Sequence, residues 1–99
     1  MSDFHLAATP GANTCQASGE IGFANAVHAH AQLQQLIAVS GPMSIDCGGL
    51  ERIDSAGLAV LLDIVALARD QGTALRYVNL PAGVFRLARL GGVEALLPV

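Results

Sequence analysis

Between Met43 and Gln71 the apolar residues change their spacing, and that change constrains the fold more than any other feature of the chain. Met43, Ile45 and Cys47 alternate with Ser44 and Asp46, which is the period of a strand with one buried face. From about Ser55 to Gln71 the apolar residues recur at helical spacing, and Gly72 follows as a C-terminal stop. Leu58, Leu61, Leu62 and Val65 form one stripe of this helix, and Val60, Ile64 and Leu67 form a flank beside it. Together they exceed the ~100° stripe of an ordinary surface helix. The remaining face is narrow and of low relief: Ser55, Ala59, Asp63, Ala66 and Asp70. The alanines leave that face open to close approach by another backbone, with Ser55 at its N-terminal end.

The segments on either side extend the same alternation. Phe4–Ala8 and Thr14–Ile21 are expected strands, separated by the turn residues Thr9-Pro10-Gly11-Ala12-Asn13, and the pair suits a hairpin. Asn25–Val39 is an expected helix that buries Ala26, Ala29, Leu33, Leu36 and Ile37, with Asn25 as its cap and Ser40-Gly41-Pro42 as its stop. Gly48-Gly49 mark a turn or a close backbone approach. Ala74–Leu80 is a strand. Pro81 suits the first position of a last helix that buries Val84, Leu87 and Ala88 and ends at Gly91-Gly92, with Arg86 and Arg89 in its last turns. The apolar tail Val93–Val99 is expected to pack. The resulting order is β-β-α-β-α-β-α: a small α/β domain with a mixed four-stranded sheet and about three helices, treated as one unit over 1–99.

Composition excludes several function classes. Of the 99 residues, 53% are hydrophobic and 13% charged, so the chain can bury a core and is not disordered. The net charge is −3, and five Lys plus Arg cannot make a phosphate-tracking stripe for nucleic acid or a basic patch for anionic lipid. The apolar run Leu58–Ala68 is interrupted by Asp63 and is too short to span a bilayer. No secretory signal pattern opens the chain, so a cytoplasmic location is expected. Cys15 and Cys47 lack metal-ligand spacing and are read as small core hydrophobes with reduced thiols.

Ser55 carries two compatible readings. A serine at a helix start is a common N-cap, worth ~1 kcal/mol. An accessible hydroxyl there also suits regulation: a phosphate would add about −1.5 to −2 charges, tolerated at the positive helix end but opposed by Asp54 and by an acidic or apolar partner.

Asp46, followed eight residues later by Asp54-Ser55-Ala56-Gly57-Leu58, resembles the signature of the STAS domain family. Ser18-Gly19-Glu20-Ile21 resembles that family's Gly-Glu-Leu/Ile strand end, and Pro81–Leu90 its last helix. Within the family, Asp54–Leu62 and the compact end from Val84 through Leu97-Pro98 look closer to MlaB-type subunits than to sigma regulators. The resemblance implies a non-enzymatic accessory subunit. Such a subunit binds the cytoplasmic ATPase of a bacterial phospholipid (Mla-type) ABC transporter, peripheral to the inner membrane, and supports assembly and activity. The alternative is an anti-sigma factor antagonist that binds an anti-sigma kinase and is switched by phosphorylation of Ser55. The implied partner surface is Asp54, Ser55, Ala56, Gly57, Ala59, Asp63 and Ala66, with no cofactor and no metal. Four positions depart from the family pattern. Gly22 replaces a frequent aspartate, Cys47-Gly48 replace Leu-Ser, and Leu80 precedes Pro81 where a capping serine is frequent.

Other constellations lack chemistry. His28 and His30 point in nearly opposite directions on a helix and cannot share a metal; His5 is remote in sequence. Gly48-Gly49 are not followed by Gly-Lys-Ser/Thr, so they are no phosphate loop. Asp63 and Asp70 share a solvated face. A hydrolase built on Ser55 would need a base, and the chain lacks the Gly-x-Ser-x-Gly elbow.

Overall fold

The computed structural model describes residues 4–8, 13–39 and 41–99. The elements are β1 (Phe4–Ala8), β2 (Thr14–Ile21), α1 (Ala26–Val39), β3 (Met43–Ile53), α2 (Ser55–Asp70), β4 (Leu75–Val78) and α3 (Ala82–Leu90), followed by a single 3-10 turn at Glu94–Leu96. The strands form one sheet in the order β1-β2-β3-β4. β1 and β2 are antiparallel, with Phe4 opposite Gly19 and Ala8 opposite Cys15. β2, β3 and β4 are parallel neighbours, connected through the helices. The mixed four-stranded sheet with three helices is the architecture expected from the sequence, and the hairpin is present. Thr9 to Ala12 of the expected turn, and Ser40 of the expected helix stop, lie outside the described residues.

Side-chain alternation explains how the sheet buries only one side. Phe4, Cys15, Ala17, Ile21, Ile45, Cys47, Leu50 and Tyr77 are buried. His5, Ala7, Gln16, Gly48 and Arg76 are exposed. α2 lies against β2, β3 and β4 and beside α1. From α1 it is Ala29, Leu33 and Ile37 that are fully buried, and Ala26 and Leu36 pack at the margin, as the helical period requires. α2 buries Leu58, Leu61 and Ile64, with Val60 and Ala68. Leu62, Val65 and Leu67, also expected on its apolar faces, are half-buried and pack against that core. Both cysteines are free and buried. Burial, with the Asp46 charge next, pushes the Cys47 thiol up to about 12, so it behaves as a core hydrophobe.

Gly48-Gly49 do not turn the chain. β3 runs through them as a bulged strand, and its pairing with β2 shifts between Gln16 and Ser18 and again between Gly19 and Glu20. The close approach is real: a Cβ on Gly49 would lie 3.0 Å from the Ala17 carbonyl oxygen and from Ser18 Cβ. Asn25 does not cap α1 with its side chain. Its Oδ1 accepts from the Gly22 amide at 2.9 Å and its Nδ2 donates to the Glu20 carbonyl at 2.9 Å, while its own carbonyl starts the helix by accepting from Ala29. The side chain thus staples the β2–α1 turn. Pro81 sits one residue before the first helical position of α3.

α2 and α3 end alike. At α2 the Thr73 amide donates to Ala68 O and the Gly72 amide to Arg69 O; at α3 the Val93 amide donates to Ala88 O and the Gly92 amide to Arg89 O. Gly72 and Gly92 take φ of 74° and 71°, the left-handed conformation this closure needs. The tail packs as expected. Leu97 is buried, and the Pro98 carbonyl accepts from the Tyr77 amide at 2.9 Å.

Candidate docking site

Because β2 and β3 are parallel, α1 and α2 lie side by side in the same direction and begin at the same end of the sheet. Asp54 joins those two beginnings. Its Oδ1 accepts from the Gly57 amide at 3.0 Å and caps α2; its Oδ2 accepts from the Phe23 amide at 3.0 Å and holds the β2–α1 turn. The cap expected at Ser55 is therefore supplied by its neighbour, and Ser55 is the first helical residue, exposed to solvent. Two cap-competent residues stand in sequence, and the backbone of Asp54 (φ −100°, ψ −170°) has the extended geometry a cap requires. The Phe23 amide, then the Gly57 amide, hold the Asp54 carboxyl below its ordinary value.

The implied partner residues divide by depth. Asp54, Ser55, Ala59, Asp63 and Ala66 are exposed, and Asp70 extends their row. Ala56 is half-buried. Gly57 is buried: a Cβ there would lie 2.2 Å from the Ile21 carbonyl oxygen and 2.8 Å from Ile53 Cγ2. It presents nothing to a partner and instead lets α2 sit against the end of β2. Ala56, Ala59, Val60 and Asp63 form one wall of a shallow, mostly apolar groove of about 410 Å³, with Ala26, Val27 and His30 as the other.

The sequence reading missed the pair between His30 Nε2 and Asp63 Oδ2, which ties α1 to α2 across this groove. The two residues are 33 positions apart, and only the packing of the helices brings them together. The sequence places Asp63 on a solvated face and in the implied partner surface, with no ion-pair partner. The pair stands two turns along from Ser55, about 12 Å at the helical rise, and so is out of reach of that hydroxyl.

The positions that depart from the family pattern have structural consequences. A Cβ on Gly22 would approach Asp54 Oδ2 to 2.8 Å, so the Asp54 carboxylate occupies the space an aspartate at 22 would need. On the open side of the sheet, Asp46 Oδ1 accepts from the Gly48 amide at 2.9 Å and from Asn79 Nδ2 at 3.1 Å. The Gly48 amide, then Asn79, lower the Asp46 carboxyl. Asn79 takes φ of 57°, and Asp46 holds it there. Asp46 thus braces the end of β4, away from Asp54. Among the described residues no three His, Cys, Asp or Glu side chains converge in a metal-binding group, and no helix is long and apolar enough to cross a membrane.

Residues 4–98 match the family described as Mlab, STAS domain. The intermembrane phospholipid transport system binding protein MlaB of Escherichia coli K12 is 36% identical over 58 residues, which is 59% of this chain. That alignment spans 60% of the length of the curated relative. Among solved structures, an anti-sigma factor antagonist from Mycobacterium paratuberculosis superposes with a TM-score of 0.72 at 21% identity, covering 99% of this chain and 84% of that one. The unphosphorylated anti-sigma factor antagonist SpoIIAA gives 0.70 at 15% identity, covering 96% and 85%. These two similarities concern the fold. With the family match extending over nearly every described residue, this chain belongs to the STAS domain family.

Proposed function

We propose that this chain is a non-catalytic accessory subunit that binds the cytoplasmic ATPase of a bacterial Mla-type phospholipid ABC transporter and supports its assembly and activity. The observation that carries the reading is the exposed, low-relief row Ser55, Ala59, Asp63 and Ala66 beside the α1/α2 groove. It is supported by family membership and by similarity to a relative named for phospholipid transport. Small side chains let a partner backbone approach closely, and Ser55 offers a hydroxyl that Asp54 has freed from capping. Asp54 fixes the turn, Ala56 lines the groove, and Gly57 sets the helix position from beneath. The chain would sit in the cytoplasm, reaching the inner membrane only through its partner. The test is co-purification of the ATPase with the wild-type chain and with Ala59→Arg. Loss of the complex with a folded variant is expected; undiminished capture by Ala59→Arg rejects this surface.

The exposure of Ser55 favours one second reading, an antagonist that captures an anti-sigma kinase and is released when Ser55 is phosphorylated. Intact mass after incubation with ATP and the kinase separates the two. A phosphate on Ser55 and loss of capture by Ser55→Asp support the antagonist, whereas an unmodified mass leaves the transporter subunit.

A further inference from the structure

Two large apolar side chains stand in solvent where α1 and α2 begin. Phe23 is 90% exposed and Val27 is 86% exposed. Single exposed apolar residues are ordinary on protein surfaces. These two are not isolated: Val27 lines the groove with Ala26, Ala56, Ala59 and Val60, and Phe23, four residues before it, borders the neighbouring depression with Asp54, which holds its amide. α1 itself carries no Asp, Glu, Lys or Arg anywhere along its 14 residues.

Carboxylates predominate around this apolar strip, and His30 bridges the groove to one of them, Asp63. Asp63 lines the groove with its side chain 58% exposed, Asp70 continues its row, and Asp54 stands at the near end. The cations are elsewhere. Arg76 is on β4, Arg86 and Arg89 are on α3, and Arg69 is in the last turn of α2. Arg52 comes nearest, in a separate depression shared with Phe23 and Asp54. An apolar trough with an acidic edge complements an apolar ridge with basic flanks. It repels anionic surfaces. A two-fold pairing that laid α2 on its own copy would set two acidic rows against each other.

We propose that the α1/α2 groove, with Phe23 and Val27 at its rim, receives an amphipathic helix of the ATPase. Apolar residues of that helix fill the trough, and a Lys or Arg beside them takes the place of His30 as the partner of Asp63. This rests on the transporter reading above and adds the second helix, the anchors and the chemistry of the partner. A helix laid into a groove presents side chains one turn apart. The parallel walls of α1 and α2 offer contacts at the same spacing, from Ala26 to His30 and from Ala56 to Asp63. Phe23 and Val27 suit the anchoring role of the few buried residues that dominate most interfaces.

The experiment is a titration of the purified ATPase against the wild-type chain, Phe23→Ala/Val27→Ala, Asp63→Lys, Ala59→Arg and the α3 control Arg86→Ala. Both anchors are so exposed that their truncation leaves the fold intact. Binding is expected to weaken at least tenfold or so in the anchor variant and in Asp63→Lys, and to be unchanged in Arg86→Ala. Wild-type affinity is expected to fall as NaCl rises from about 50 to 500 mM, with a flatter dependence in Asp63→Asn. If Ala59→Arg abolishes binding while the anchor and Asp63 variants bind like wild type, the transporter reading stands and this proposal is overturned. If the wild-type chain does not bind the ATPase, both fall. Self-association of the wild-type chain that the anchor variant abolishes also overturns it, because the occupant is then a second copy.

Discussion

Asp54 and Ser55 are adjacent, polar and exposed, yet they do different work. Asp54 takes two backbone amides from two elements; Ser55 leaves its hydroxyl to solvent. Ser55→Ala should therefore change stability by no more than about 0.5 kcal/mol, half or less of what loss of a cap costs, as measured by urea unfolding. A loss near 1 kcal/mol would return the cap to Ser55. Asp54 should instead give the fold a pH dependence. Its folded carboxyl titrates below its ordinary value, so the unfolded chain takes up the proton first as pH falls. The stabilisation is complete above the ordinary carboxylate range, near 4, and is lost as pH falls through the depressed folded value. Asp54→Asn should be less stable at neutral pH and lose less of its remaining stability between about pH 5 and 2. Asp46, lowered by Gly48 and Asn79, retains part of the acid slope in that variant. Equal acid slopes in both proteins would show that the two amide bonds do not discriminate the charged form.

At the scale of elements, the buried faces were legible in the sequence and the joints were not. Ala29, Leu33 and Ile37 on α1, and Leu58, Leu61 and Ile64 on α2, follow from helical period alone, because burial acts on every turn of a regular helix. The joints depend on local contests among residues with similar propensities. Asp54 and Ser55 can both cap. A Gly-Gly pair serves a turn or a bulge equally well, and only the register with β2 decides for the bulge. His30 and Asp63 meet because α1 and α2 are packed together, a fact with no local signature. Gly57 shows how packing overrides propensity. Alanine in place of a helical glycine ordinarily gains about 1 kcal/mol. Here the added methyl would strike the Ile21 carbonyl oxygen from 2.2 Å and Ile53 from 2.8 Å. The clash is with backbone, so α2 or the end of β2 must shift, at a cost of about 1–3 kcal/mol or more. Gly57→Ala should lower the melting temperature by about 5–10 °C, whereas Gly83→Ala, with no atom within 4 Å of the added methyl, should not lower it.

Across the whole molecule, the last residues close a sheet edge that the helices leave open. β4 is an end strand of the sheet, and an unpaired strand edge is a template for association. The Pro98 carbonyl takes the Tyr77 amide, Leu97 is only 6% exposed, and the Tyr77 hydroxyl donates to the Leu61 carbonyl at 2.6 Å. Tyr77 thus couples the tail on one side to α2 on the other. Burial of that hydroxyl raises its pKa, so it stays a donor at all working pH values. The apolar composition of Val93–Val99 implied packing, but the partner amide could not be read from it, because a backbone bond to Tyr77 depends on where the α3 closure directs the chain. Leu97→Ala removes the side chain that seats this tail and should cost about 2 kcal/mol, the low end for a buried leucine, since the site lies near the surface. The same change should release the Pro98 carbonyl and let the Tyr77 amide exchange with solvent faster than the inner amides of β3. Amide hydrogen exchange measures both at once. If Leu97→Ala loses stability while Tyr77 keeps its protection, the edge is closed by the backbone bond alone and Leu97 serves only the core.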